Sequence, residues 1–145
     1  MISILRPHLN GYWERGAGVI NVLIVAIGGG IGAAVRYLVT CWAAERFGSH
    51  FPYGTFFVNV AGCFVIGLFF ALAINKFVIK PEWRLFVTTG FLGGLTTFST
   101  FSYETVKLLQ DEHICFALYN ILGNCLLGLL ATWAGISLAR CLTLS

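Results

Sequence analysis

Charge is what this sequence has least of. Of its 145 residues only 10% are charged while 58% are hydrophobic, and the mean hydropathy is +0.85, whereas a soluble domain carries about 25% charged residues. So few charges cannot cover a water-facing surface, which excludes a soluble globular domain. A net charge of +3, spread along the chain, is also too small and scattered for nucleic-acid binding. No Asp or Glu lies well inside any long apolar stretch. That absence argues against a small four-helix multidrug-type transporter, which needs a membrane-buried carboxylate to exchange protons for a cationic drug. The five cysteines are odd in number and show no C-x-x-C spacing. They read as small packing residues. His8, His50 and His113 sit in flanks or loops, and the local group Asp111, Glu112 and His113 lacks a second ligand pair for a metal. The apolar stretches hold no nucleophile beside a base and no metal triad, which excludes enzyme chemistry.

What the sequence does have is long apolar runs. A bilayer-spanning helix needs about 20 predominantly apolar residues, and four stretches qualify: Val19 to Ala43, Thr55 to Ile74, the segment between Arg84 and Glu104, and Ile114 to Ala139. The connectors, Glu45 to Tyr53, Asn75 to Trp83 and Gln110 to His113, are short. A cleaved signal peptide would have an apolar core of about 7 to 15 residues. The stretch from Val19 to Val35 is longer and three more spans follow, so the first span is expected to be retained. This divides the chain into an N-terminal extension, 1–18, and a four-helix transmembrane domain, 19–145. Both termini then share one side, which holds Arg6, Arg15, Lys76, Lys80, Arg84 and Arg140 against Arg36, Arg46 and Lys107 on the other. The positive-inside rule places that side in the cytoplasm.

Several features cost energy in a membrane and so need a reason. Gly28-x-x-x-Gly32 is a small-xxx-small pattern that lets helix backbones approach closely. Arg36 has apolar sequence on both sides; it either snorkels to the headgroups or faces a water-filled vestibule where it concentrates anions, because an arginine at membrane depth costs about 2.5–3.5 kcal/mol. Asn59 either bonds a neighbouring helix or donates its amide to a passing anion. The richest stretch is Gly90-Phe91-Leu92-Gly93-Gly94-Leu95-Thr96-Thr97-Phe98-Ser99-Thr100-Phe101-Ser102. Paired glycines followed by five hydroxyl residues in seven positions predict a broken helix near Gly93 to Thr97. A membrane tolerates freed backbone groups only where protein buries them or they line a cavity, and freed carbonyls suit a hard cation such as sodium. Phe98 and Phe101, three apart, share a helical face. Their rings either pack against a partner helix or present their positive edges to an anion. Glu104 and Lys107 suit a solvated i, i+3 pair at the helix end. In the last span Tyr119 and Asn120 fit an interfacial anchor, while Asn124 lies deeper and needs a partner.

These residues resemble the CrcB/Fluc fluoride channel family, through Gly29 to Tyr37 (GGIGAAVRY), Gly54 to Gly67 (GTFFVNVAGCFVIG) and Gly90 to Glu104 (GFLGGLTTFSTFSYE). The last motif is the most specific, and the first eighteen residues lie outside the match. The resemblance implies an all-α membrane protein of four transmembrane helices with the third helix broken. It further implies an antiparallel, dual-topology homodimer in the cell inner membrane that exports fluoride passively, with a structural Na+ at the dimer interface. Carried over by motif, the pore residues would be Asn59, Phe98, Ser99, Thr100 and Phe101, with Tyr119 and Asn124 from the fourth span and Arg36 at the vestibule. Backbone carbonyls of Gly93 and Thr96 would hold the sodium. The expected partners are fluoride, membrane lipid and a second copy of the chain. Cys63 departs from the family pattern, where a smaller or hydroxyl residue is expected. The rival to a channel, besides the transporter, is a purely structural membrane protein, which would not require the hydroxyl and phenylalanine array.

Overall fold

The computed structural model describes residues 15–75 and 79–144. Most of the 1–18 extension, with Arg6 and His8, lies outside the described residues, as does Lys76.

Every element among the described residues is helical. Helix α1 is Arg15–Phe47 and α2 is Tyr53–Asn75. Helix α3, residues 81–95, begins with Pro81–Leu85, continues through a π-helical stretch Phe86–Leu92 and ends with Gly93–Leu95. Helix α4 is Phe98–Gln110. Helix α5, residues 114–144, runs from Ile114–Leu122 through a second π-helical stretch, Gly123–Leu127, into Gly128–Leu144. Three of these helices hold segments long and apolar enough to cross a membrane: Gly18–Phe47, Tyr53–Ala73 and Ile114–Thr143. The expected third span is the pair α3 and α4.

The turns follow from local chemistry. Gly48 adopts φ +80° and donates its N–H to Ala44 at 3.0 Å, closing α1 with a left-handed residue that glycine takes without Cβ strain. After α4, the backbone N–H of Glu112 bonds Leu109 and that of His113 bonds Leu108, which satisfies carbonyls the helix end would otherwise orphan.

Close backbone approach organises the packing. A Cβ on Gly32 would strike the Phe91 carbonyl, and one on Gly94 would strike the Gly29 carbonyl. The expected small-residue face of α1 therefore packs within the chain, against α3. In the same way Gly67 lies on Thr132 and Gly135 on Phe64, so α2 and the end of α5 are in backbone contact. Between these pairs Val58, Leu92 and Leu95 form a small buried core with Val35, Val39 and Ile66 around it. Large apolar side chains cover the outside; Leu129 and Trp133 are 72% and 68% exposed. An apolar exterior of this extent suits hydrocarbon, not water.

The break falls later than the glycines suggest. Gly93 stays helical at φ −63°, ψ −35°, and the chain extends only at Thr96 (φ −84°, ψ 156°) and Thr97 (φ −153°, ψ 120°). Gly94 serves close packing on α1; the threonines supply the stop and the restart. Thr96 Oγ1 bonds back to the Leu92 carbonyl at 2.9 Å. Thr97 caps α4 by accepting the Thr100 N–H at 3.2 Å, the ordinary role of a threonine N-cap.

Candidate functional site

The break is held open by one side chain from α2. Asn59 Oδ1 accepts the Thr97 N–H at 2.9 Å, and Asn59 Nδ2 donates to the Thr97 carbonyl at 3.2 Å and to Asn124 Oδ1 at 3.0 Å. In a continuous helix the N–H groups of Thr97 and Thr100 would bond the carbonyls of Gly93 and Thr96. Here they go to Asn59 Oδ1 and Thr97 Oγ1 instead. Gly93 and Thr96 thus present carbonyls without their helical donors. They are also the two residues expected to ligate a hard cation, and the oxygen chemistry fits one.

From Asn124 the polar chain continues along α5 and back to α4. Asn124 Nδ2 donates to Asn120 Oδ1 at 2.9 Å and to the Asn120 carbonyl at 3.0 Å; Asn120 Nδ2 donates to Thr105 Oγ1 at 2.9 Å; Thr105 Oγ1 donates to the Phe101 carbonyl at 2.7 Å. Asn120 is fully buried. Asn124 lies in the second π-helical stretch, a kind of distortion often found at functional sites.

Asn59 and Asn124 border a cavity of about 380 Å³, lined also by Gly93, Thr96, Phe98 and Phe101 among others. The Phe98 and Phe101 rings lie 5.6 Å apart with planes inclined by 48°. Phe98 is 80% exposed, so much of that ring lacks a packing partner within the chain. Ser99 and Thr100 stand beside it, exposed, and both hydroxyls bond Thr97 Oγ1, at 3.2 and 3.0 Å. No carboxylate, lysine or arginine lines this cavity among the described residues.

The structure thus brings together Asn59, Phe98, Ser99, Thr100, Phe101 and Asn124, with Gly93 and Thr96 on the same wall. It does not bring in Tyr119, which is 64% exposed on the outer side of α5 while its neighbour Asn120 turns inward. Arg36 lies in the C-terminal half of α1, half-buried and away from the cavity lining. Asn59 has both amide hydrogens engaged within the chain, so donation to an anion requires one of those bonds to exchange.

Sequence reasoning missed Thr97, Thr105 and Thr55. The first two were legible as hydroxyls at the start of α4 and about two turns into it. Thr55 was not, because its partner was misread. Glu104 is not in a solvated pair with Lys107: its Oε1 accepts from Thr55 Oγ1 at 2.9 Å, and its buried Oε2 has no hydrogen-bond partner among the described residues. The inward turn of Glu104 places it on a second cavity of about 370 Å³, with Lys107, His50 and His113.

Residues 23–136 match the model of the CrcB-like protein family, described as camphor resistance (CrcB). The chain belongs to that family. Its CrcB relatives include the fluoride-specific ion channel FluC of Geotalea uraniireducens, 46% identical over 122 residues, which are 84% of this chain and 98% of the relative. The FluC of Clostridium perfringens strain ATCC 13124 is 45% identical over 86% of this chain and 97% of its own length. That of Acidobacterium capsulatum is 46% identical over 81% and 94%. This is a membrane protein of a channel family, not an enzyme.

Proposed function

We propose that this chain is a fluoride-selective channel, a multi-pass protein of the cell inner membrane that lets fluoride leave the cytoplasm passively. The observation that carries the reading is the cavity between α2, α4 and α5. Its polar groups are hydroxyls and amides beside two aromatic rings, and it has no carboxylate, lysine or arginine among its described lining residues. Such a wall can replace the hydration of a small anion at short range without a fixed positive charge that would trap it, and a narrow polar pore selects by size and field. The names of the relatives support the same substrate.

The working unit in this reading is an antiparallel homodimer. One chain leaves the Phe98 ring mostly uncovered beside the cavity and has the Gly93 surface exposed, an arrangement that a second copy would complete. At the shared interface the carbonyls of Gly93 and Thr96 from each copy would hold a structural Na+. Such an ion would serve the assembly of the two copies and would not be transported.

Fluoride release from liposomes holding the purified protein tests the proposal. With a potassium ionophore as the only counter-pathway and no proton gradient, fluoride should run down its own gradient. Drug-driven proton exchange without fluoride release would overturn the reading in favour of a transporter. Labelling of single cysteines from each side, in a background lacking the native five, should find both orientations of the chain; one orientation alone would contradict the antiparallel dimer.

A further inference from the structure

Two of the five thiols line the cavity proposed as the fluoride path. Cys63 on α2 and Cys125 in the second π-helical stretch both line the space that holds Asn59, Asn124, Phe98 and Phe101. Cys63 Sγ lies 3.3 Å from where a Cβ on Gly128 would stand, and Gly128 donates its N–H to the Cys125 carbonyl, one turn away. Cys63 and Cys125 therefore reach the same cavity from two different helices, α2 and α5. Both are free thiols, and they are the only ionisable side chains on that lining among the described residues. The other three cysteines, Cys41, Cys115 and Cys141, do not line this cavity.

We infer that Cys63 and Cys125 form an inhibitory site for a soft, two-coordinate metal cation that closes the fluoride path. The inference rests on the proposed course of the pore through this cavity. Soft cations prefer thiolate sulfur, whereas the carbonyls of Gly93 and Thr96 suit hard ones, so the two sites do not compete for the same ion. Charge decides which soft ions fit best. A divalent ion held by two thiolates is neutral, so it leaves no net charge to desolvate in a cavity with no carboxylate, lysine or arginine among its described lining residues. On binding, each thiol bonds the metal through sulfur and gives its proton to solvent; two protons leave per ion and nothing is oxidised or reduced. An ion bound there would occupy the cavity that Asn59, Asn124, Phe98 and Phe101 also line, where fluoride would pass.

The test uses Hg2+ as the probe on full-length protein in liposomes, in a background of Cys41→Ser, Cys115→Ser and Cys141→Ser. Each variant's fluoride efflux is normalised to its own metal-free rate, and the mercury–thiolate ultraviolet charge-transfer band reports how many sulfurs are bound. The background protein should bind one ion per chain through two sulfurs and lose its flux, with recovery on adding dithiothreitol. Cys63→Ala or Cys125→Ala should each weaken the block by at least about tenfold, since loss of a direct ligand costs no less than the 10–100-fold lost with a supporting one. The double variant should be insensitive. Two-sulfur binding with undiminished flux would keep the metal site but move the pore out of this cavity. Absence of two-sulfur binding, or equal block of the double variant, overturns the inference.

Discussion

Asn59 grips the backbone of Thr97 from both sides, accepting its N–H at 2.9 Å and donating to its carbonyl at 3.2 Å. A side-chain amide here takes the place of a helical turn, and the chain can stay extended at membrane depth because these two backbone groups are satisfied. Replacing Asn59 by leucine removes both partners at once. Each unsatisfied buried group costs about 1–3 kcal/mol, so the variant should lose most of its folded protein in detergent, read by thermal unfolding and size-exclusion chromatography. Asn59→Asp keeps the acceptor but sets a carboxyl oxygen against the Thr97 carbonyl and Asn124 Oδ1, and should also lower the melting temperature.

The glycines give a sharper contrast. Gly32→Ala and Gly94→Ala would each push a methyl into a backbone carbonyl across the α1 and α3 contact, while Gly30→Ala meets nothing within 4 Å. Overpacking typically costs about 1–3 kcal/mol and more where backbone must move. Thermal stability should drop for the first two and stay near the parent for Gly30→Ala.

Asn120 and Tyr119 are sequence neighbours with opposite surroundings. Asn120→Leu breaks the bonds to Thr105 and Asn124 and leaves their polar atoms buried, so it should destabilise the protein by roughly 1–3 kcal/mol and slow fluoride flux. Tyr119→Leu, on a face exposed in the single chain, should leave the melting temperature near that of the parent.

Phe98 and Phe101 separate the edge-on anion reading from simple packing. Isoleucine preserves bulk but lacks the positive ring edge, which is worth about 0.5–1.5 kcal/mol in aromatic contacts. If the edges face the anion, Phe98→Ile and Phe101→Ile should each fold normally and conduct about tenfold less, the loss that ~1.4 kcal/mol on the barrier gives. Full flux in a well-folded isoleucine variant would remove these rings from the path.

Much of this was legible in the sequence because the membrane enforces it. Span lengths, the paired glycines and the hydroxyl run all follow from hydrocarbon thickness and from the cost of open backbone. The break was placed near Gly93 to Thr97, but its agents were not separable: glycine that breaks a helix and glycine that lets two helices touch look alike until the partner Gly29 carbonyl is seen. Tyr119 and Asn120 are adjacent and so point about 100° apart around the helix, and hydropathy alone does not say which faces inward. The i, i+4 spacing of Asn120 and Asn124 carried that signal. Glu104 was misread because its i, i+3 lysine suggested solvent, whereas its partner, Thr55, comes from a different helix.

The central claim is that the polar cavity passes fluoride and refuses a larger halide. Its most direct test is the initial rate of fluoride and of chloride efflux from one batch of liposomes, measured with ion-specific electrodes under matched gradients and a potassium ionophore. The account predicts rapid fluoride release with chloride held back almost entirely. Equal rates for the two halides would contradict it.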